Sequence, residues 1–221
     1  MPANLIQNLP KNEKAGASAL YIYDAISTWF GISSIEVVDA LKGFKGDSIT
    51  VYINSPGGDV FEARAISSAL KRLSADGVKV TAVIDGLCAS AATMIALACD
   101  EVHMNDGCQF MIHEASGVAV GTKNEIRAYA DLCEKVEQDI VNDYVAKTGI
   151  SADEILAMME AETWMSADEA FEKGFIDHIV GRVVLDDKEP EPEPEPEKEE
   201  EEIKDSVGQR NANRLKLLLA V

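Results

Sequence analysis

The chain reads as an α/β protein, a layered domain in which strands alternate with helices. Two apolar runs rich in β-branched residues, Ser48-Ile49-Thr50-Val51-Tyr52-Ile53 and Val78-Lys79-Val80-Thr81-Ala82-Val83-Ile84, each lead through a glycine-bearing turn into a helix-like stretch. Three capping boxes, Thr122/Glu125, Ser151/Glu154 and Ser166/Glu169, mark helix starts further on. A length of 221 residues suits one domain with a sizeable core, plus a tail.

Residues 1 to about 18 are polar and are expected to form a flexible arm. Ala19–Tyr23 is the first expected strand, and Trp29, Phe30, Gly31 and Ile32 follow in a loop. Ser34–Leu41 fits a short helix with Ile35, Val38 and Leu41 on one face. Asp59 is placed to cap a helix from Val60 to about Leu73, whose buried stripe is Ile66, Leu70 and Leu73. Asp76-Gly77 turns the chain into the second apolar strand, and the run Ala91–Ala98 is a helix packed with small residues. Glu101–Met104 reads as a short strand, with His103 an ordinary strand residue, and Asn105-Asp106-Gly107 as a turn. Cys108–Ile112 is the next strand. A helix from about Lys123 to Lys147 stops near Gly149 and carries the stripe Ile126, Tyr129, Ala130, Cys133, Val136, Ile140 and Tyr144. At about 1.5 Å per residue it is close to 40 Å long, enough to reach beyond a compact domain.

The body is thus assigned to residues 19–185 and a tail to 186–221. Within the tail, glutamate and proline alternate from Glu189 to Glu197, the composition of a stiff, solvated spacer. Ile203–Val221 regains leucines and arginines, as a short docking helix or a disordered end.

The formal net charge of −19 argues against nucleic acid as the main ligand. The segment Asp186–Asp205, with 12 acidic and 3 basic residues, holds nearly half of it. None of the four cysteines, Cys88, Cys99, Cys108 and Cys133, forms a Cys-x-x-Cys pair or a zinc-ligand spacing. They read as buried thiols in a reducing compartment. Residues 1–16 lack the apolar core of a signal peptide, and Leu215–Val221 is too short to span a bilayer. The expected location is cytoplasmic, with no membrane or nucleic-acid partner, no cofactor and no metal.

Three stretches carry chemistry. Gly86-Leu87-Cys88-Ala89-Ser90-Ala91-Ala92 places a serine at a strand-to-helix turn, its hydroxyl exposed beside the N–H groups of a helix start. Alone, that serine reads as a helix N-cap. Cys88, two residues earlier, reads as a packing residue. Asn54-Ser55-Pro56-Gly57-Gly58-Asp59 ends a strand with paired glycines, whose backbone can approach a ligand and present the Gly58 N–H. Met111-Ile112-His113-Glu114 puts a histidine at a strand terminus, where a general base can sit.

Taken with Met165-Ser166-Ala167-Asp168-Glu169-Ala170, these motifs stand in the order and spacing of the Clp protease proteolytic subunit family, which the chain resembles from about Ala19 to Val184. The short front end and Ser-Pro-Gly-Gly-Asp-Val-Phe are most similar to the phage and prophage branch of that family, associated with head maturation.

The resemblance implies a crotonase-like spiral of β-β-α units, with the helix at about 122–148 as a projecting handle that interlocks stacked rings. Seven-fold rings of identical subunits are implied. So is peptide-bond hydrolysis, with Ser90 as nucleophile, His113 as general base, and the backbone N–H groups of Gly58 and Ala91 holding the oxyanion. The family's aspartate, two residues before an aromatic, corresponds to Glu162 ahead of Trp164; a glutamate keeps the carboxylate and adds a methylene. Asp168, inside a helix start, and Asp177, at a turn, are the other carboxylates in view. An extended peptide would add as a strand between Gly57, Gly58, Asp59 and Val60 on one side and Ser116 and Gly117 on the other.

The phage-like features imply cleavage of capsid or scaffold segments without ATP, in the host cytoplasm and inside assembling capsids. The other readings are a peptidase subunit fed by a Clp ATPase, a crotonase-type enolate chemistry that Ser90 with His113 counts against, and a catalytically silent scaffold.

Overall fold

The computed structural model describes residues 6–8 and 17–182; expectations for the tail lie outside the described residues. Strands β1 (Ile6–Asn8), β2 (Ala17–Ile22), β3 (Ser48–Ser55), β4 (Lys79–Ala89), β5 (Glu101–Asn105) and β8 (His178–Val180) lie side by side in the order β1-β2-β3-β4-β5-β8. All neighbours are parallel except β1, which runs antiparallel to β2 with Ile6 opposite Leu20. The stretch expected as an arm therefore contributes a sheet strand at Ile6–Asn8.

The connections are helical, as parallel strands require. Helices α1 (Ser34–Leu41) and α2 (Val60–Ala75) follow β2 and β3, and α3 (Ala91–Ala96) follows β4. Strand β6 (Gln109–Ile112), α4 (Lys123–Thr148), α5 (Ala152–Glu160), β7 (Thr163–Met165) and α6 (Ala167–Glu172) complete the chain up to β8. Among the described residues no helix is long and apolar enough to cross a membrane.

One sheet face builds the core. Leu20 and Ile22, Ile49, Val51 and Ile53, and Val80, Ala82 and Ile84 alternate into it and are buried. Ala63, Ile66 and Leu70 of α2 and all six residues of α3 are buried with them. Each fully buried Ile or Leu contributes about 1.5–3 kcal/mol. On α1 the buried residue is Val37; of the residues expected to share one face, Leu41 packs against the core and Ile35 is 60% exposed. A capping box between Ser33 and Glu36 closes the helix start. Asp59 caps α2 as expected, accepting from the N–H groups of Phe61 and Glu62.

Strand β4 carries the feature that places the site. It pairs β5 over Thr81–Ile84, then leaves it to pair β6 over Leu87–Ala89. The change of partner coincides with a bulge: Ile53 opposes Ile84, but Ser55 opposes Cys88. Asn54 Oδ1 accepts from Leu87 N at 3.1 Å and holds the bulge, and a Cβ at Gly86 would stand only 2.6 Å from that oxygen. Helix α4 ends at Gly149, left-handed with φ 74°. Its C-terminal part is anchored in the core by Ile140, Val141 and Tyr144, while Ile126 and Leu132 nearer its start are exposed.

Candidate active site

Ser90 stands between the last residue of β4 and the first of α3, with φ 54° and ψ −127°. An L-residue in that region costs on the order of 1–3 kcal/mol and persists only where its surroundings enforce it. Here the Ser90 N–H donates to Met111 O at 2.9 Å. Its carbonyl accepts from Thr93 N at 3.0 Å and from Thr93 Oγ1 at 2.6 Å. Thr93 Oγ1 also lies 2.7 Å from the Tyr144 hydroxyl, and both side chains are buried. Burial pushes the Tyr144 hydroxyl well above its ordinary ionisation range, which keeps it a neutral partner.

The strained backbone leaves the serine hydroxyl free of capping duty: Ser90 occupies the N-cap position of α3 but makes no side-chain cap bond. Its Oγ lies 2.7 Å from His113 Nε2 instead. His113 directly follows β6, the strand that pairs with the end of β4, so the two groups meet because β4 changes partner.

The paired glycines close the other side. Gly57 has φ 89° and Gly58 φ 144°, conformations that disfavour any other residue. Ile26 N donates to Gly57 O and Asp59 N to Ile26 O, both at 2.8 Å. Ser55, fully buried, donates to Asp24 O at 2.7 Å and accepts from Gly57 N at 3.2 Å. This clamp leaves the Gly58 N–H, like that of Ala91, without an acceptor among the described residues. Two unpaired donors beside a serine–histidine pair are what an oxyanion needs.

A cavity of about 270 Å³ opens over this group, walled by Gly58, Ala91, Ser116, Ile140 and Tyr144. A second, of about 220 Å³, shares Gly58, Val60, Ala115 and Ser116 with it and continues past Asp59 and Phe61 to Tyr129 and Leu132 of α4. The expected binding residues Asp59, Val60 and Ser116 line this cleft. Gly57 and Gly117 line neither cavity. Gly57 backs Ser90, and Gly117 lies so close to the Tyr129 hydroxyl that a Cβ would stand 1.8 Å from it.

The carboxylates divide clearly. The β6–β7 register ends with Ile112 opposite Thr163; His113 and Glu162 are the residues flanking that last pair, and Glu162 already lies in the turn after α5, its N–H donating to Met159 O at 3.0 Å. Glu162 has φ 49°, and its Oε1 accepts from Trp164 Nε1 at 3.1 Å; no hydrogen bond joins it to His113. Asp168 pairs with Arg182 at 3.0 Å. Asp177 accepts from Val102 N and from Lys147 Nζ, each at 2.7 Å. Burial works against the ionised Asp177 carboxyl, but the Lys147 ammonium and the Val102 N–H outweigh it and hold the group below the usual aspartate range. Both aspartates are therefore engaged elsewhere. Cys88 is fully buried, and burial pushes its thiol far up, which suits packing and not nucleophilic attack.

Thr93, Tyr144, Ser55 and Asn54 were not singled out as functional in the sequence. Each is a polar residue in an apolar run or turn, and only the fold shows what it holds.

Residues 32–183 match the family model described as Clp protease. The chain is 30% identical over 137 residues to the ATP-dependent Clp protease proteolytic subunit of Bacteroides fragilis, covering 61% of this chain and 65% of that protein. It thus spans just under two thirds of that relative's length. It is 32% identical over 172 residues to the ATP-dependent Clp protease proteolytic subunit 1 of Chlamydia abortus, covering 72% of this chain and 88% of that one. Its structure is similar to that of a mutant ClpP1 from Listeria monocytogenes, with a TM-score of 0.65 and 25% identity over 75% of this chain and 92% of the other. The fold agrees with this match: the chain belongs to the Clp protease family.

Proposed function

We propose that the chain is a serine endopeptidase acting on extended peptides. The carrying observation is the 2.7 Å contact between Ser90 Oγ and His113 Nε2. In this reading Ser90 attacks the scissile carbonyl as His113 takes its proton; the Gly58 and Ala91 N–H groups receive the developing negative charge. The C–N bond breaks as His113 returns the proton to the leaving amine. Water, deprotonated by the same imidazole, then releases the acyl group and regenerates the hydroxyl. The substrate lies as an added strand along Gly58–Val60 and Ser116, the residues common to both cavities or bordering them.

Glu162 is the third member in this reading. It flanks the last β6–β7 pair, as His113 does, and releasing the exposed Trp164 indole costs only about 1 kcal/mol. Its carboxylate then orients the imidazole through Nδ1 and stabilises the imidazolium.

The subunits assemble as homo-oligomeric rings, seven-fold and stacked in pairs, with the exposed start of α4 as the handle. Exposed Ile126 and Leu132 on that helix support an interface there. The finer role is maturation of a phage head without ATP, supported by the Ser-Pro-Gly-Gly-Asp-Val-Phe stretch. The names of the relatives favour a second reading, a peptidase subunit of an ATP-dependent protease.

Hydrolysis of unstructured peptides by the wild type, lost in Ser90→Ala at unchanged solution mass, supports the endopeptidase. Full activity in Ser90→Ala contradicts it. Degradation of a folded substrate only with an unfoldase and ATP would replace the head-maturation role with the second reading.

A further inference from the structure

Away from Ser90, the sheet brings together a second set of side chains that the hydrolytic reading does not use. Glu101 and His103 are two residues apart on β5 and so share a face. His178 on β8 is the register partner of His103. The two imidazoles meet edge to face, with centroids 4.7 Å apart and planes at 81°. One ligand atom from each of Glu101, His103 and His178 lies within 4.8 Å of the other two.

The spacing has a specific meaning. Around a tetrahedral ion with bonds of about 2.0–2.1 Å, neighbouring donor atoms stand roughly 3.3 Å apart. His103 Nε2 and Glu101 Oε2 are already 3.2 Å apart. His178 is exposed at the sheet margin, and a turn of its side chain closes the remaining gap. Lys79 takes the other oxygen of the same carboxylate, Glu101 Oε1, at 2.8 Å and leaves Oε2 to face the histidines. Asp177, beside His178 in the chain, is held by Lys147 and Val102 and adds no fourth donor. Water would fill that position.

We propose that Glu101, His103 and His178 form a binding site for a divalent transition-metal ion of the zinc class. Two imidazoles and one carboxylate suit Zn²⁺, Co²⁺ or Ni²⁺ better than the all-oxygen preference of Mg²⁺ or Ca²⁺. The site lies at the level of Thr81 to Val83 on β4, seven or more residues before Ser90 and so roughly 20 Å along the strand. Its role is a staple. Among the described residues β8 pairs only with β5, over three residues, and an ion shared by both strands would tie that margin to the sheet. Because the three ligands converge only in the folded chain, the ion would stabilise the folded state by mass action.

The test titrates ZnCl₂ into the metal-free full chain against a chromophoric competitor, and repeats it with Co²⁺ to read ligand type from the absorption spectrum. Expected are one ion per chain, a Co²⁺ spectrum without a thiolate charge-transfer band, and a melting temperature that rises with Zn²⁺. His178→Ala and Glu101→Gln, both at exposed or half-exposed positions, should each weaken binding at least about tenfold and remove the thermal shift. The proposal is overturned by absence of binding at micromolar Zn²⁺, by a thiolate band, or by affinity that neither substitution changes.

Discussion

Gly57 stands directly behind Ser90: a Cβ at residue 57 would lie 2.8 Å from Ser90 Cβ and 2.6 Å from Ala89 O. That contact ties the glycine turn to the candidate nucleophile. Gly57 does not line the cleft, yet the position of the hydroxyl depends on it. Its φ of 89° adds a second reason for glycine.

Gly57→Ala should therefore reposition Ser90. The expected outcome is peptide hydrolysis reduced on the order of 10²-fold, from a misplacement of about 1 Å. Hydrolysis and far-ultraviolet circular dichroism measured on the same sample separate this from unfolding. Wild-type rates in a folded Gly57→Ala protein would show that the contact does not position the serine.

The Ser90 carbonyl leans on Thr93, which in turn meets Tyr144. Thr93→Val leaves the buried Tyr144 hydroxyl without this partner and takes one donor from the Ser90 carbonyl, at a cost of about 1–3 kcal/mol. Tyr144→Phe removes one hydroxyl and leaves Thr93 its bond to Ser90 O, so it should cost about 1 kcal/mol. Urea unfolding of both variants checks the order, and only Thr93→Val is expected to slow hydrolysis as well.

Asp177 links α4 to β5 through Lys147 and Val102. Its carboxyl ionises more readily in the folded chain than in the unfolded one. The stabilisation is therefore fully present above the unfolded aspartate range, near pH 4, and is lost as pH falls through the lower folded value. Asp177→Asn should lower the urea midpoint at neutral pH, and its difference from wild type should shrink under acid. A difference that stays constant down to strongly acid pH would contradict the assigned ion pair.

Glu162→Gln keeps the side-chain shape and removes the charge. If Glu162 stabilises the imidazolium of His113, kcat should fall at least about tenfold and the acid limb of the rate–pH profile should move to lower pH. An unchanged profile would leave Glu162 as a partner of Trp164 alone.

Much of this was legible in the sequence. Period-2 and helical patterns located β3, α2 and the first part of β4, and Thr122/Glu125 and Ser166/Glu169 form full capping boxes at the starts of α4 and α6. At Ser151 only the serine half of the box is made, with Glu154 N as donor. Short elements escaped. β7 and β8 have three residues each, too few for periodicity to show, and β1 lies in a polar stretch whose pairing with β2 is a tertiary event. On α1 the shared face of Ile35, Val38 and Leu41 is only partly turned to the core: Leu41 packs against it while Ile35 is exposed, and Val37 is the buried residue.

The site shows the same division. The motifs named Ser90 and His113, and the two side chains do meet. The strained φ of Ser90 sits in a backbone held in part by the long-range bond to Met111 O, which no local pattern encodes. Glu162 was placed by its spacing before Trp164; it flanks the last β6–β7 pair, but its side-chain bond to the indole, not to His113, could not be foreseen. His103 read as an ordinary strand residue because His178, its neighbour in space, is far away in the chain.

The most direct measurement is labelling of the assembled wild-type protein with a fluorophosphonate, followed by mass mapping of the adduct. A single adduct on Ser90, absent in Ser90→Ala and strongly slowed in His113→Ala, is the predicted result. Complete absence of labelling in protein that hydrolyses peptides, or an adduct on another residue, would contradict the account.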